Sequence, residues 1–143
     1  MRAKCLELVL ASLVLATPAL AGDIEVSDAW IRALPAKLPA AGYFTLHNKS
    51  KSAVTLIGAE TSACGMTMLH KSSDSGGMSH MEDVDTVVVP AGGTVEFAQG
   101  GYHLMCMDPA PTLKPGSKAS VTLIFSDGAK VTSEFAVKNA RGE

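Results

Sequence analysis

The sequence predicts an all-β sandwich with a single domain. Short runs of alternating apolar and polar residues, many of them β-branched, recur along the chain with turn residues between them. The sequence contains no long helical pattern, no internal repeat and no low-complexity linker. The roughly 122 residues that follow an N-terminal leader are enough for one hydrophobic core but not for two.

The leader is predicted to be an export signal over residues 1–21. Two basic residues precede an apolar run over residues 8–15, and the small-residue site Ala19-Leu20-Ala21 follows. The apolar run is too short to span a membrane, and no lipid-attachment cysteine lies at the cleavage point. We therefore expect an exported, soluble domain over residues 22–143.

Nine strands are predicted in this domain. They cover residues 24–31, 42–48, 54–59, 66–70, 86–89, 94–98, 102–107, 119–125 and 130–137. The last two are joined by Asp127-Gly128, a strong hairpin signal, and the apolar residues at alternate positions predict one buried face on each. The predicted core residues are Val121, Leu123, Phe125, Val131, Phe135 and Val137, with Trp30, Phe44, Leu46 and Phe97 as partners.

Charge and cysteine content argue against several functions. Without the leader, the chain carries 10 basic and 13 acidic side chains, a formal balance of −3, and the basic residues form no cluster. This pattern disfavours a nucleic-acid or anionic-membrane partner. The two remaining cysteines, Cys64 and Cys106, form no C-x-x-C pair, and the sequence leaves open both a disulfide and two buried thiols.

Soft metal ligands are concentrated in one third of the chain. All six methionines of the exported domain, and three of its four histidines, lie between residues 66 and 107. Thioether and imidazole groups suit Cu(I) and disfavour hard ions such as Ca²⁺ or Mg²⁺. Thioethers also bind without losing a proton. The composition therefore predicts a copper site.

Strand alternation narrows the ligand set. Two of the predicted strands carry three soft donors each at alternate positions, and so on one face. These are Met66, Met68 and His70 on the first strand and His103, Met105 and Met107 on the second. Where the two strands end near each other, His70, His103 and Met105 can converge.

The segment between these strands is predicted to be a loop that carries a fourth ligand. Residues 72–81 are polar and contain glycine. Met81 is the first candidate, and Met78 and His80 are reserves. The predicted metal ligands are thus His70, Met81, His103 and Met105. The other strand methionines, Met66, Met68 and Met107, are expected to pack against the core or to form an apolar rim around the copper.

A blue-copper electron-transfer centre is disfavoured by the position of the cysteine. Such a site needs two histidines and a cysteine thiolate with a weak axial methionine. Cys106 follows His103 and Met105, and strand alternation directs its side chain away from them.

The spacing of these residues resembles that of the periplasmic PCu(A)C-type copper chaperones. Their motif is His, ten residues, Met, twenty-one residues and His-x-Met, and His70, Met81 and His103-Leu104-Met105 reproduce it. The similarity extends from residues 28–32 through the final hairpin. The resemblance implies a cupredoxin-like Greek-key β-sandwich that holds Cu(I) in a shallow surface site in the periplasm.

The resemblance also implies delivery of copper to a respiratory oxidase, particularly its CuA centre, alongside Sco-type proteins. We therefore expect a monomeric, non-enzymatic metallochaperone that passes copper to an acceptor protein by ligand exchange. Two alternatives stay open. One is a copper-buffering or resistance protein, and the other is a thiol–disulfide oxidoreductase that acts on a copper acceptor through Cys64 and Cys106. The extra donors also leave open how many copper ions bind.

Overall fold

The computed structural model describes residues 21–143. The predicted export signal therefore lies outside the described residues, except for Ala21, which begins a short 3-10 turn, Ala21–Asp23. Within the described part of the chain, no helix is both long enough and apolar enough to cross a membrane.

Ten strands make up the described part of the domain. They are β1 (Ile24–Arg32), β2 (Ala40–Asn48), β3 (Val54–Glu60), β4 (Cys64–Ser75), β5 (Met78–Asp83), β6 (Val87–Val89), β7 (Thr94–Phe97), β8 (Tyr102–Pro109), β9 (Lys118–Phe125) and β10 (Lys130–Lys138). All nine predicted strands are present, with ends shifted by up to five residues. The tenth, β5, was not predicted.

The predicted loop over residues 72–81 is wrong, because this segment forms a hairpin of β4 and β5. The two strands are joined by Gly76 and Gly77, whose φ angles are 61° and 79°. Two consecutive positive φ values suit the tight two-residue turn of a hairpin, and glycine adopts them without strain. All of β5 is exposed, so no apolar alternation revealed it in the sequence.

The strands form one hydrogen-bonded sheet that folds over on itself. Their order is β5-β4-β8-β2-β1-β10-β9-β3-β6, with β7 paired to β2. β1 and β10 run parallel, whereas the remaining pairs among the described strands are antiparallel. β3 packs against β4 without pairing to it, and Phe44 of β2 meets Phe135 of β10 edge to face. The result is a β-sandwich, as predicted.

The core lies between the folded halves of the sheet and contains most of the predicted residues. Phe44 and Phe97 stack with their ring centroids 4.3 Å apart, and Phe125 and Phe135 are fully buried. Val131 is only partly buried and packs against the edge of the core. A mainly aliphatic and phenylalanine core therefore holds the sheet together.

The predicted core residue Trp30 lies outside the core. A one-residue shift in the β1–β2 register between Ser27 and Trp30 reverses which positions of β1 face inward, so Ile31 is buried in its place. The Trp30 ring instead packs on Tyr43, with the centroids 4.9 Å apart, and lies under the Lys138 ammonium. This prediction is wrong because the bulge interrupts the alternation.

A disulfide joins Cys64 of β4 to Cys106 of β8, with the two Cα atoms 5.4 Å apart. Of the two alternatives that the sequence left open, a disulfide and two buried thiols, the structure therefore contains the disulfide. Because it ties the two donor-bearing strands together, it helps to hold their register.

Candidate metal centre

Three alternate pairs of opposite residues in the β4–β8 ladder carry soft donors on both strands. We call them the histidine rung (His70 and His103), the middle rung (Met68 and Met105) and the outer rung (Met66 and Met107). Opposite residues of antiparallel strands project from the same face, with Cβ atoms about 4.5–5.5 Å apart. All six donors therefore share one face, as strand alternation predicts.

The two histidines of the histidine rung are close enough to bind one ion. Their ring centroids are 5.7 Å apart and their planes are inclined by 76°. A metal ion about 2.0–2.1 Å from one nitrogen of each ring would place the centroids about 5–6 Å apart. The observed separation therefore allows both imidazoles to share an ion with little movement.

Hydrogen bonding orients the His103 ring. Its Nδ1 lies 3.2 Å from the carbonyl oxygen of Gly101, to which the Nδ1–H group donates. This bond leaves the lone pair of Nε2 available to a metal, as is usual for metal-binding histidines. Burial lowers the pKa of His103, and the nearby His70 and Arg32 lower it further, against the opposing effect of the Gly101 hydrogen bond. The ring is thus favoured in the neutral form that binds metal.

His70 is buried and keeps unused hydrogen-bonding capacity. It is only 9% exposed, and neither ring nitrogen makes an aligned hydrogen bond within the described residues. Its Nε2 lies 2.8 Å from a carboxylate oxygen of Asp83, but this close contact does not point along the ring N–H direction. An unpaired buried polar group costs about 1–3 kcal/mol. A metal ion bound to His70 would offset that cost.

A cleft of about 360 Å³ opens beside the histidine rung, and His103, Met105 and Met81 line it. Met81 reaches it from β5, where it lies opposite Ser72. Its side chain is 57% exposed. The structure thus brings three of the four predicted ligands to one cleft and places His70 next to His103. The thioether of Met81 lies on the solvent side, where it can move during ligand exchange.

Arg32 and Tyr43 also line the cleft. The Tyr43 ring centroid lies 6.5 Å from that of His103. Burial raises the pKa of Tyr43, and Arg32 partly opposes this effect. Sequence reasoning did not select either residue. It also missed Asp83, because β5, which places that carboxylate opposite His70, was itself missed.

The two reserve ligands lie away from the cleft. Met78 and His80 are exposed and occupy positions of β5 that alternate with Met81, so they project from the other face of the hairpin. Met66 is also exposed, at 57%, so it does not pack in the core, and its place in an apolar rim around the copper stays a prediction.

The donor types restrict which metals fit. Within the described part of the chain, no group of three or more His, Cys, Asp or Glu side chains could hold a metal ion. The cleft instead offers the thioethers of Met81 and Met105, which favour soft ions. Cys106 is tied in the disulfide and only 3% exposed, so it offers no thiolate for a blue-copper centre.

Comparisons with known proteins agree with this architecture. The family model described as "Putative lipoprotein LpqE-like" matches residues 24–137. The "Putative lipoprotein Lxx21020" of Leifsonia xyli subsp. xyli is 34% identical over 123 residues, which are 85% of this chain and 74% of that protein. The "Uncharacterized protein RP573" of Rickettsia prowazekii is 28% identical over 98 residues, or 68% of this chain and 54% of that protein.

Solved structures confirm the predicted cupredoxin-like fold class. The copper-bound PCuAC domain from PmoF2 is 25% identical, with a TM-score of 0.69 over 82% of this chain and 94% of that domain. The Cu(I) form of DR1885 from Deinococcus radiodurans is 32% identical, with a TM-score of 0.64 over 87% of this chain and 81% of that protein. Both proteins are described with copper bound.

Proposed function

This chain belongs to the LpqE-like family, and we propose that it is a periplasmic metallochaperone for Cu(I). The solved structures to which it is similar include PCuAC domains. The observation that carries the proposal is the histidine rung beside a cleft lined by two thioethers. Two imidazoles and two thioethers form a neutral, soft ligand set, which suits Cu(I) better than Cu(II) or a hard divalent ion.

Each proposed ligand has a distinct part in holding the ion. His103 binds through Nε2 because its Nδ1–H group donates to Gly101. His70 binds from the opposite strand, and the neighbouring carboxylate of Asp83 stabilises the positive charge of the complex. Met105 and Met81 supply sulfur from two sides of the cleft. All four ligands bind without releasing a proton once the histidines are neutral.

The position of Met81 supports transfer rather than permanent storage. It is exposed and lies on β5, at the edge of the sheet. An acceptor can therefore replace this thioether first and then take over the remaining ligands in steps. We propose that the acceptor is a respiratory oxidase subunit with a CuA centre, and that a Sco-type protein is a further partner. A copper-buffering protein would bind the ion equally well but would leave oxidase assembly unimpaired when deleted.

We propose that the protein is a binding protein and not an enzyme. A thiol–disulfide oxidoreductase would need an accessible sulfur atom, yet Cys106 is buried and bonded to Cys64 across paired strands. Cys64 is itself partly buried against the core, so neither sulfur atom is fully exposed to an incoming thiol. This burial weighs against catalytic cycling of the pair.

Anaerobic Cu(I) titration against a competing chelator tests the ligand assignment. We expect Met81→Ala and His103→Ala each to weaken the binding by at least about tenfold, because each removes a direct ligand. Met78→Ala is the matched control, since Met78 is similarly exposed but projects from the other face of the same hairpin. Parent-like affinity in both ligand variants would refute the site. Met81 is exposed, so its variant stays informative even if His103→Ala disturbs folding.

A further inference from the structure

The proposed copper site leaves three thioethers on the same face of β4 and β8 without a role. Met66 is 57% exposed and lies directly opposite Met107, while Met68 follows two residues along β4. Met68 and Met107 are partly exposed. None of the three belongs to the buried core of the described residues. Core packing therefore does not account for them.

The backbone geometry allows their sulfur atoms to meet. Opposite residues such as Met66 and Met107 have Cβ atoms about 4.5–5.5 Å apart, and a diagonal neighbour about 7–8 Å away remains within reach of a long side chain. Met68 is such a neighbour of Met107. Methionine has three rotatable side-chain bonds, so the three thioethers can converge over the face.

The distance along the strands separates the outer rung, Met66 and Met107, from the histidine rung. Four residues divide Met66 from His70, which corresponds to about 13 Å at about 3.3 Å per residue. The same number divides Met107 from His103 on the facing strand. Metal–sulfur bonds are only about 2.3 Å long. An ion held by Met66 and Met107 would therefore be distinct from the ion in the cleft, and Met68, which lies opposite the cleft ligand Met105, would have to turn toward Met107 to join it.

The acidic residue next to Met107 in the chain, Asp108, lies against Gly65. Gly65 and Asp108 face each other, since a Cβ on Gly65 would lie 3.0 Å from the Cβ of Asp108. A carboxylate oxygen of Asp108 would lie 3.5 Å from the same Cβ, so the carboxylate lies on the Gly65 side of the ladder, which is the face opposite to that of Met66. The group consequently offers sulfur alone, which selects a soft monovalent ion over a hard or divalent one.

We propose that Met66, Met68 and Met107 form a second, thioether-only Cu(I) site at the surface of the β4–β8 face. This site goes beyond the proposed function, because it uses none of the four ligands of the cleft. It binds its ion in an exposed position, and the full protein carries two Cu(I) ions.

The stoichiometry of anaerobic Cu(I) binding tests the second site. We expect two Cu(I) ions in the parent and one in the Met66→Leu/Met107→Leu double variant, measured by elemental analysis after equilibrium dialysis. Leucine nearly conserves the volume of methionine, so the fold should tolerate both changes. Met78→Leu is the control and should retain two ions. If the parent and the double variant bind the same number of ions, the second site is overturned.

A second measurement separates this inference from the proposed function. In a Met81→Ala/His103→Ala variant, we expect one remaining Cu(I) with only sulfur neighbours in X-ray absorption. If that variant binds as many ions as the parent, the cleft assignment fails while the outer site stands. Titration of methyl-labelled protein with Ag(I), a soft and redox-silent probe, should shift the Met66 and Met107 methyl signals. If only Met81 and Met105 shift, the outer site is refuted.

Discussion

Reducing the Cys64–Cys106 disulfide should lower the free energy of unfolding by about 4 kcal/mol. The bond closes a loop with a sequence separation of 42 residues. In the chain-entropy account, a crosslink of this span removes about 4 kcal/mol of conformational entropy from the unfolded chain. The bond also joins β4 to β8 beside the outer rung, so reduction removes a constraint on the ladder that carries all six strand donors.

Urea unfolding of the metal-free protein, with and without a thiol reductant, measures this effect. The two forms have the same side chains, so the comparison isolates the crosslink from any cavity that a cysteine substitution would leave. The free energy of unfolding of each form is extrapolated to water with the m-value measured for that form, because the reduced unfolded chain exposes more surface. A difference below about 1 kcal/mol would refute the entropic reasoning.

Two further predictions concern the site and the hairpin. Because burial lowers the pKa of His103, its folded-state pKa in the metal-free protein should fall below the ordinary histidine value in an NMR titration. The unfolded chain then binds more protons, so the contribution of His103 to the free energy of unfolding should be constant above about pH 6.5 and should decrease as the pH falls through the folded-state pKa. An unshifted His103 titration would contradict this. Gly77→Ala should destabilise the β4–β5 hairpin by about 1 kcal/mol, because φ is positive at this position. Since this hairpin carries Met81, the same variant should also bind Cu(I) more weakly. Gly58→Ala, at an open position without a positive φ, is its control, and equal copper affinities in the two variants would refute the link.

Local patterns in the sequence were sufficient for most of the strands and for the composition of the site. Side chains alternate on every strand, so Met66, Met68 and His70 had to share a face, as did the donors of β8. The final hairpin was equally predictable, because Asp127-Gly128 supplies a turn in which Gly128 has φ 85°. These features depend on residues that are close together in the chain.

The β5 strand and the orientation of Trp30 could not be inferred with the same reasoning. β5 is exposed along its whole length, so its pairing with β4 depends on the glycine turn and on backbone hydrogen bonds rather than on an apolar pattern. The reversal at Trp30 comes from a bulge in the β1–β2 register. Neither feature leaves a periodic signal, because both are set by the partner strand.

The sequence by itself determined which chemical groups this protein can offer, namely imidazoles and thioethers at alternate strand positions. Only the tertiary structure decided how they are grouped. The β4–β8 register sets His70 opposite His103 and Met66 opposite Met107, and the β4–β5 hairpin carries Met81 to the cleft while directing Met78 away. The physical reason is that alternation is a property of one strand, whereas register is a property of two.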